Sequence, residues 1–263
     1  MLNKAGNATA TEHRAILVRF IKLFGKESIV GVLADREFAS GALFGFFNKN
    51  NVPFYIRIKE GSQVKIKTTK LLKEKKLFSH LNLREKSVFY MAIWLYGQKV
   101  YLAGSRSERG ELMIVATNQQ PKNAIEIYLR RWEIETLFSS LKGRGFRFEE
   151  THLIDRPRIK KMMALLAIGF CWAHRTGEWR ASIKPIRLCK HRDSMRPQNS
   201  YVRYGLDFIR EIIINPHKTI RDFRKILALF DTELITRRCC YEFLSCAKKF
   251  IVIPLFNNYL IFI

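Results

Sequence analysis

A short apolar run limits the folds that this chain can adopt. Residues 29–34, "IVGVLA", carry no charge and stop at Asp35, which is typical of a strand buried on both faces. The following "ASGALFGFFNKNN" has helical character, and "VPFYIRIK" predicts a second strand that begins at Pro53. A strand, a helix and a strand with short links predict a βαβ unit with a parallel strand pair. The chain is therefore expected to have an α/β fold.

The pattern changes between residues 59 and 117. Apolar and polar residues alternate there, most clearly in "SVFYMAIWLYGQKVYLAGS", and Gly97 and Gly110 stand at turn positions. This alternation predicts an antiparallel, β-rich insertion. Helical spacing returns at Pro121, which suits the first turn of a helix. The helix is expected to continue to Lys142 and to end at Gly143.

Four segments follow from these patterns. Residues 1–58 are predicted to form part of an α/β core and residues 59–117 the insertion. Residues 118–180 hold a helix with candidate site residues and then an apolar core helix. Residues 181–263 are predicted to be a helical C-terminal region, in which Asn215 and Pro216 separate two amphipathic helices. From Asp231 onward the periodicity is lost, and this tail receives no predicted element.

The charge of the chain indicates the kind of partner that it binds. Lys and Arg total 47 against 23 Asp and Glu, which gives a net charge of +24 and a pI near 10.1. Such a protein repels itself unless it binds an anion, and nucleic acid is the anion that basic proteins of this kind usually bind. A membrane surface is the weaker alternative, because the basic residues are spread along the chain and not gathered on one amphipathic helix.

The sequence also predicts a location. The N-terminus is polar and lacks the apolar segment of a secretory signal. The tail "FIVIPLFNNYLIFI" is interrupted by Pro254, Asn257 and Asn258 and is too short to span a bilayer. The five cysteines form no C-x-x-C pair, so they are interpreted as reduced thiols and not as zinc ligands or disulfides. We expect a cytoplasmic protein that associates with DNA and not with a membrane.

Four polar residues share one side of the helix predicted after Pro121. On an ideal helix, Tyr128, Arg131, Glu135 and Lys142 fall within an arc of about 60°. They border an apolar face that consists of Ile127, Ile134, Phe138 and Leu141. A carboxylate at this border suits a divalent metal, and the Tyr, Arg and Lys offer donors to phosphate oxygens. The alternative is an exposed ion-pair ladder, because Arg and Glu four residues apart are common on helix surfaces.

The position of Asp35 favours a metal site over an exposed ion-pair ladder. It follows a buried strand directly, and the carboxyl ends of strands are where open α/β sheets bind ligands. The alternative role is an N-cap for the helix that follows. Together with Glu135, about 100 residues later, Asp35 is a candidate ligand of one metal site.

At this point the chain resembles a known family. "YLRRWEIETLFSSLKGRGF" is similar to the Y-x2-R-x3-E-x6-K signature of insertion-sequence transposases of the IS4 family, which have a Tn5-like DDE catalytic core. "LADREF" resembles the segment that carries the second catalytic Asp of that family, and "ETHL" and "VRYGLDFI" are similar to later stretches. The resemblance covers about residues 3 to 230 and identifies the chain as similar to the C-terminal portion of such a transposase.

The resemblance implies a fold and a chemistry. The fold is RNase H-like, with a β-rich insertion between the second Asp and the Glu. In the family, Asp, Asp and Glu hold two Mg²⁺ or Mn²⁺ ions that activate water and then a DNA 3′-hydroxyl for attack on phosphodiester bonds. By this match Asp35 and Glu135 are catalytic metal ligands, and Tyr128, Arg131 and Lys142 contact phosphates near the transposon end. Double-stranded DNA is the implied partner, and the family works as dimers.

One departure concerns the first catalytic Asp of the family, which lies upstream on the first strand of the core. Before Asp35 the only acidic residues are Glu12 and Glu27. We therefore expect a truncated, partial RNase H-like fold that is inactive by itself, and a strand at 29–34 whose bare edge promotes aggregation. A surviving role is to bind DNA, or to pair with full-length transposase as an inhibitor.

A second departure concerns the Trp with which Tn5-like relatives hold a flipped base near the last strand of the insertion. The corresponding stretch here, "ELMIVATN", has no Trp. Trp94 is a candidate substitute, although a Trp in a strand more often belongs to the core of the sheet. A rival class, a basic nucleic-acid-binding protein without enzymatic ancestry, explains the charge but not the position of Glu135 in the polar stripe.

Overall fold

The computed structural model describes residues 9–66, 70–144, 146–191, 194–228, 251–255 and 258–262 of the chain. The chain divides into two compact units, Met1–Glu133 with Lys248–Ile263, and Ile134–Ala247. The described strands of the first unit form one nine-stranded mixed sheet, and the second unit is mainly helical. The α/β fold predicted from the sequence is confirmed.

The first unit begins with a capped helix, α1 (Ala10–Phe24). The Glu12 carboxylate accepts a hydrogen bond from the Thr9 amide at 2.6 Å, and the Thr9 hydroxyl accepts one from the Glu12 amide. This reciprocal pair satisfies two amides that a first helical turn leaves without partners. Leu17 and Phe20 are the buried apolar residues of α1.

The predicted βαβ unit is confirmed. It consists of β1 (Ile29–Ala34), α2 (Gly41–Asn50) and β2 (Phe54–Arg57), and the two strands pair in parallel with Val32 opposite Phe54. Phe44 and Phe47 of α2 stack on Phe54, with ring centroids 4.8 and 5.3 Å apart. These aromatic contacts pack α2 against β2 of the sheet.

The predicted antiparallel insertion is also confirmed. Its strands are β3 (Gln63–Ile66), β4 (Lys70–Lys73), β5 (Lys86–Leu95), β6 (Gln98–Arg106) and β7 (Leu112–Thr117). β7 pairs with β2 in antiparallel fashion, so the insertion extends the same sheet. The interpretation of Trp94 as part of the core is wrong, because Trp94 is 49% exposed while its neighbours Ile93 and Leu95 are buried on the opposite face.

The prediction that β1 has an uncovered edge is also wrong. The tail of the chain forms β10 (Ile251–Leu255) and β11 (Asn258–Phe262), and β11 pairs in parallel with β1. The order of strands is β10-β11-β1-β2-β7-β6-β5-β3-β4, so β1 lies inside the sheet. Pro254 lies in β10, at the end of the sheet, where a missing amide donor is tolerated. The edge is covered because a segment more than 200 residues later in the chain returns to it.

The single helix predicted from Pro121 to Lys142 is wrong. A 3₁₀ turn at Pro121–Asn123 leads into α3 (Ala124–Leu129), which a second 3₁₀ turn, Arg130–Trp132, separates from α4 (Glu133–Ser139). A π turn, Ser140–Arg144, follows. Because 3₁₀ and π turns wind at different rates from an α-helix, a projection at one angle per residue does not give the directions of side chains across these breaks.

The second unit is built around a long helix, α5 (Arg156–Ile183). A hairpin of β8 (Leu188–His191) and β9 (Ser194–Pro197) follows, and then α6 (Tyr201–Ile214) and α7 (Pro216–Ala228). The two predicted amphipathic helices are confirmed; the hairpin was not predicted. The buried core of the unit consists of Ala173, Val202, Phe208, Ile209, Ile212 and Ile226. None of the described helices combines the length and the apolar character needed to cross a membrane.

Candidate active site

Two parallel strands end side by side in the first unit. β1 ends at Ala34 and β2 at Arg57, and Ala34 lies opposite Ile56 in the parallel register. Asp35 and Arg57 therefore reach the same edge of the sheet on adjacent strands. This edge is the position at which open α/β sheets bind ligands.

Asp35 has a local structural role in addition to its position at this edge. Its Oδ1 accepts a hydrogen bond from the Arg36 amide at 2.8 Å and caps the 3₁₀ turn Arg36–Phe38. The N-cap interpretation is therefore correct for this short turn, whereas α2 is capped by Ser40. Asp35 is only half-buried, so its carboxylate is accessible to a ligand.

α3 brings Tyr128 and the turn that follows it to the same place. Glu126 on α3 accepts a hydrogen bond from Lys86 Nζ at 2.7 Å, which ties the helix to β5 and lowers the pKa of Glu126. Tyr128 is 3% exposed, so this signature residue is buried and does not lie on an open polar stripe. The guanidinium of Arg131 lies 6.0 Å from the centre of the Tyr128 ring.

The electrostatics of Tyr128 show which charges surround it. Burial raises the pKa of the Tyr128 phenol above its ordinary value, and the negative charge of Asp35 raises the pKa further. Arg131 lowers it through its charge and a hydrogen bond, and the charge of Arg57 lowers it as well. The charges of Asp35, Arg57 and Arg131 therefore all act on the Tyr128 phenol, which stays protonated at neutral pH and can donate a hydrogen bond.

A cavity of about 260 Å³ adjoins this cluster, and Arg36 and Arg57 line it. Its other charged lining residues are Lys59, Glu60, Glu74, Lys75 and Glu111. Lys75 Nζ lies 2.8 Å from a Glu60 oxygen and holds the pKa of Glu60 below its ordinary value, an effect to which Arg36 and Arg57 add. Arg57 therefore lines this cavity and also ends the strand beside Asp35, and four cations and three acids together line the cavity.

Glu135 and Lys142 belong to the second unit. Glu135 is exposed on α4, and Lys142 is exposed in the π turn. Of the apolar face predicted to run beside them, Leu141 is buried but Phe138 is 42% exposed. The structure therefore brings Asp35, Tyr128 and Arg131 together in one unit and places the other two predicted residues in the other.

A family model for the transposase DDE domain matches residues 5–172. This span is more than half of the chain. The chain belongs to this family of DDE transposases. No protein of curated function matches it. Membership accounts for the RNase H-like α/β fold, for DNA as the general class of partner, and for the divalent metals that DDE domains typically use.

The described residues of this DDE domain include a carboxylate of the kind that holds a divalent metal, Asp35, but they do not gather three metal-ligating side chains in one place. Proteins hold Mg²⁺ through one or two carboxylates, with water and phosphate oxygens as further ligands. In the part of the chain that the structure describes, no group of three acidic, His or Cys side chains is placed to hold a metal. Beside Asp35, the strand β11 offers Tyr259, Leu260, Ile261 and Phe262, and none of these is acidic.

Arg57 is the site residue that the sequence interpretation missed. The rule that selected Asp35, a polar residue at the carboxyl end of a buried strand, also applies to Arg57 at the end of "FYIR". A parallel pair places both strand ends at one edge. The sequence pattern therefore predicts Arg57 as a site residue once the parallel pairing of β1 and β2 is taken into account.

Replacing Asp35 by Asn is expected to lower the pKa of Tyr128, because a negative charge beside the phenol is removed. Burial, the larger cause, keeps the pKa above its ordinary value. Because the pKa of Tyr128 is higher in the folded chain than in the unfolded chain, the protonated phenol stabilises the fold. This stabilisation is complete below the unfolded-state pKa, near pH 10. It is lost as the pH rises through the folded-state pKa. The measurement is tyrosinate absorbance during alkaline titration, with and without Tyr128→Phe. If the pKa of Tyr128 were the same in D35N as in the parent chain, the charge of Asp35 would not act on the Tyr128 phenol.

Proposed function

We propose that this chain is a DDE transposase of a bacterial insertion sequence of the IS4 type. Its reaction class is metal-dependent cleavage and strand transfer of DNA in cut-and-paste transposition. The observation that carries this proposal is the cluster at the sheet edge, where the Asp35 carboxylate shares one environment with Arg57, Tyr128 and Arg131. A carboxylate beside two guanidinium groups and a phenol suits a phosphodiester held next to a metal ion.

Each residue of the cluster has a distinct task in this proposal. Arg57 and Arg131 bind phosphate oxygens, because guanidinium groups present several donors and remain charged. Tyr128, protonated at neutral pH, donates a hydrogen bond to the same phosphate. Asp35 and Glu135 are the proposed ligands of Mg²⁺ or Mn²⁺, which when bound would supply Lewis-acid activation of the attacking oxygen. Lys142 is proposed to contact a phosphate near the transposon end.

In this proposal, Asp35 and Glu135 are two of the three acids that the family's Asp, Asp and Glu require, and no third acid is assigned. No Asp precedes Asp35 in the sequence, and β11 next to β1 contributes no acid. We therefore propose that this polypeptide alone does not catalyse transposition. The second candidate function is non-catalytic binding to DNA, which the net charge of +24 favours, or pairing with full-length transposase as an inhibitor. A homodimer on paired DNA ends is the proposed assembly.

Manganese binding in the presence of a DNA duplex tests the role of Asp35. Asp35→Asn is expected to weaken Mn²⁺ binding about 10-fold or more, because a metal ligand loses its charge. The matched control is Glu37→Gln, which neutralises an exposed acid two residues later and should leave binding unchanged. Titration calorimetry or the loss of the free Mn²⁺ resonance signal measures both variants. An equal effect of the two substitutions would contradict a site at Asp35.

Strand cleavage tests whether the acid set is complete. The chain is incubated with Mn²⁺ and a duplex that carries the transposon end, and hairpin-ended DNA is measured on denaturing gels. We expect binding without hairpin formation. Robust hairpin formation that Asp35→Asn and Glu135→Gln both abolish would show a complete site and would overturn the proposal of an inactive chain while supporting the transposase chemistry.

A further inference from the structure

The hairpin β8–β9 of the second unit is exposed on both faces. Leu188 and Cys189 are consecutive residues of a strand, so their side chains point to opposite faces, and both are exposed, Leu188 at 53%. On β9, Met195 is 60% exposed and Arg196 is exposed as well. Neither face of this ribbon is covered by another described part of the chain.

Two hydrogen bonds of the described residues lie at the base of the ribbon. The Gln198 amide donates a hydrogen bond to the Arg187 carbonyl at 2.8 Å, and the Tyr204 hydroxyl of α6 donates one to the Lys184 carbonyl at 3.1 Å. The two strands pair with each other from Leu188 opposite Pro197 to His191 opposite Ser194. An isolated two-stranded hairpin has little stability in water, so a partner that covers the ribbon would add to its stability.

The amino-acid composition of the ribbon indicates what kind of partner it binds. Between residues 184 and 198 the sequence holds five Lys and Arg and a single acid. Arg187 and Lys190 are exposed, and the exposed Leu188 and Met195 lie among these cations. A partner that matches this surface is anionic and also offers apolar edges. Duplex DNA has both properties, and its major groove, about 12 Å wide, admits a two-stranded β-ribbon.

We infer that β8–β9 is a DNA-binding ribbon that enters a groove of duplex DNA. Arg187 and Lys190 bind backbone phosphates, and Leu188 and Met195 lie against the edges of bases. Ribbons of this kind read DNA in several unrelated proteins. The inference rests on the proposed function, because it takes as ligand the DNA on which a transposase acts. It adds a contact surface in the second unit that is separate from the cluster around Asp35.

A double substitution tests the inference by affinity. Arg187→Gln with Lys190→Gln is compared with Arg19→Gln and Lys22→Gln, which remove the same charge from the exposed side of α1. Binding of a mixed-sequence duplex is measured by fluorescence anisotropy over a series of salt concentrations. The ribbon variant is expected to bind about 10-fold or more weakly, with the slope of log K against log salt smaller by about 2. The inference is overturned if both variants lose the same affinity.

Protection of a methionine tests the same inference without any substitution. Met195 is 60% exposed and lies opposite Lys190, on the same face of the ribbon as Leu188. Excess duplex is expected to slow oxidation of Met195 by dilute hydrogen peroxide several-fold and to leave Met91, 49% exposed on β5, unchanged, as measured by peptide mass spectrometry. Equal oxidation of Met195 with and without DNA would overturn the inference. Both experiments are done in EDTA, which removes divalent metals. Their outcome therefore does not depend on whether the chain cleaves DNA with a metal.

Discussion

Replacing Gly205 by Ala is expected to destabilise the second unit by about 3 kcal/mol or more, at the upper end of the cost of overpacking a core. Gly205 on α6 faces the backbone of α5. A Cβ there would overlap the Ala173 carbonyl oxygen and lie 2.6 Å from the Gly177 amide nitrogen. Backbone atoms within a helix cannot rotate away as a side chain can, so the two helices would have to separate. The core between them, which includes Ala173 and Phe208, would then open.

Gly169→Ala is the matched control, because it makes the same chemical change inside a helix of the same unit. A Cβ at Gly169 would meet only the Phe146 ring, at 3.2 Å, and a side chain can shift by a few tenths of an ångström. Alanine also favours a helix over glycine by about 0.5–1 kcal/mol. The urea midpoint of the helical circular dichroism signal should therefore fall sharply for G205A and stay level or rise for G169A. Similar midpoints for the two variants would contradict the close contact of α5 and α6.

The sheet edge with Asp35 could be predicted from the sequence because its signals are local. An uncharged run of six residues, an acid at its end and a second short strand lie within 30 residues of each other. Parallel pairing of such strands follows from the short helical link, and the position of Asp35 follows from that pairing. The polar stripe and then the family resemblance selected Tyr128 and Arg131 as partners of this site.

The geometry around Glu135 could not be predicted in the same way. The spacing of Tyr128, Arg131, Glu135 and Lys142 fits a continuous helix, but the chain winds as 3₁₀ at Arg130–Trp132 and as π at Ser140–Arg144. When the winding changes along a segment, the sequence still shows the 3.6-residue periodicity of each helical part. It does not show how far one part is rotated about the helix axis relative to the next. In the structure Tyr128 is buried and Phe138 is 42% exposed, the reverse of what a continuous helix predicts.

The strands of the tail were missed because strand pairing is not a local property. "IVIPL" and "NYLIF" are rich in residues that favour strands, yet Pro254, Asn257 and Asn258 weaken their periodicity. What makes them strands in the structure is the edge of β1, about 220 residues earlier in the chain. Tertiary pairing of this kind overrides the local pattern and decides whether such a segment is ordered.

Replacing Leu260 by Pro is expected to be the most damaging single change in the tail. Leu260 lies in β11 opposite Gly31 of β1 on one side and Ile253 of β10 on the other. A proline here removes an amide from a strand that is paired on both sides, a position that prolines avoid. The lost and unsatisfied hydrogen bonds should cost about 2–4 kcal/mol. β1 then becomes an edge strand, and its apolar sequence promotes association between chains.

The control is Leu260→Val, which keeps the amide and favours a strand. Light scattering during refolding and the urea midpoint of the first unit measure both variants; L260P should aggregate and unfold early, and L260V should behave as the parent chain does. Because Pro254 is already tolerated in the terminal strand β10, the difference between the two sites reports the internal position of β11. If L260P refolded as a monomer with the parental midpoint, β11 would not be the strand that covers β1 in solution.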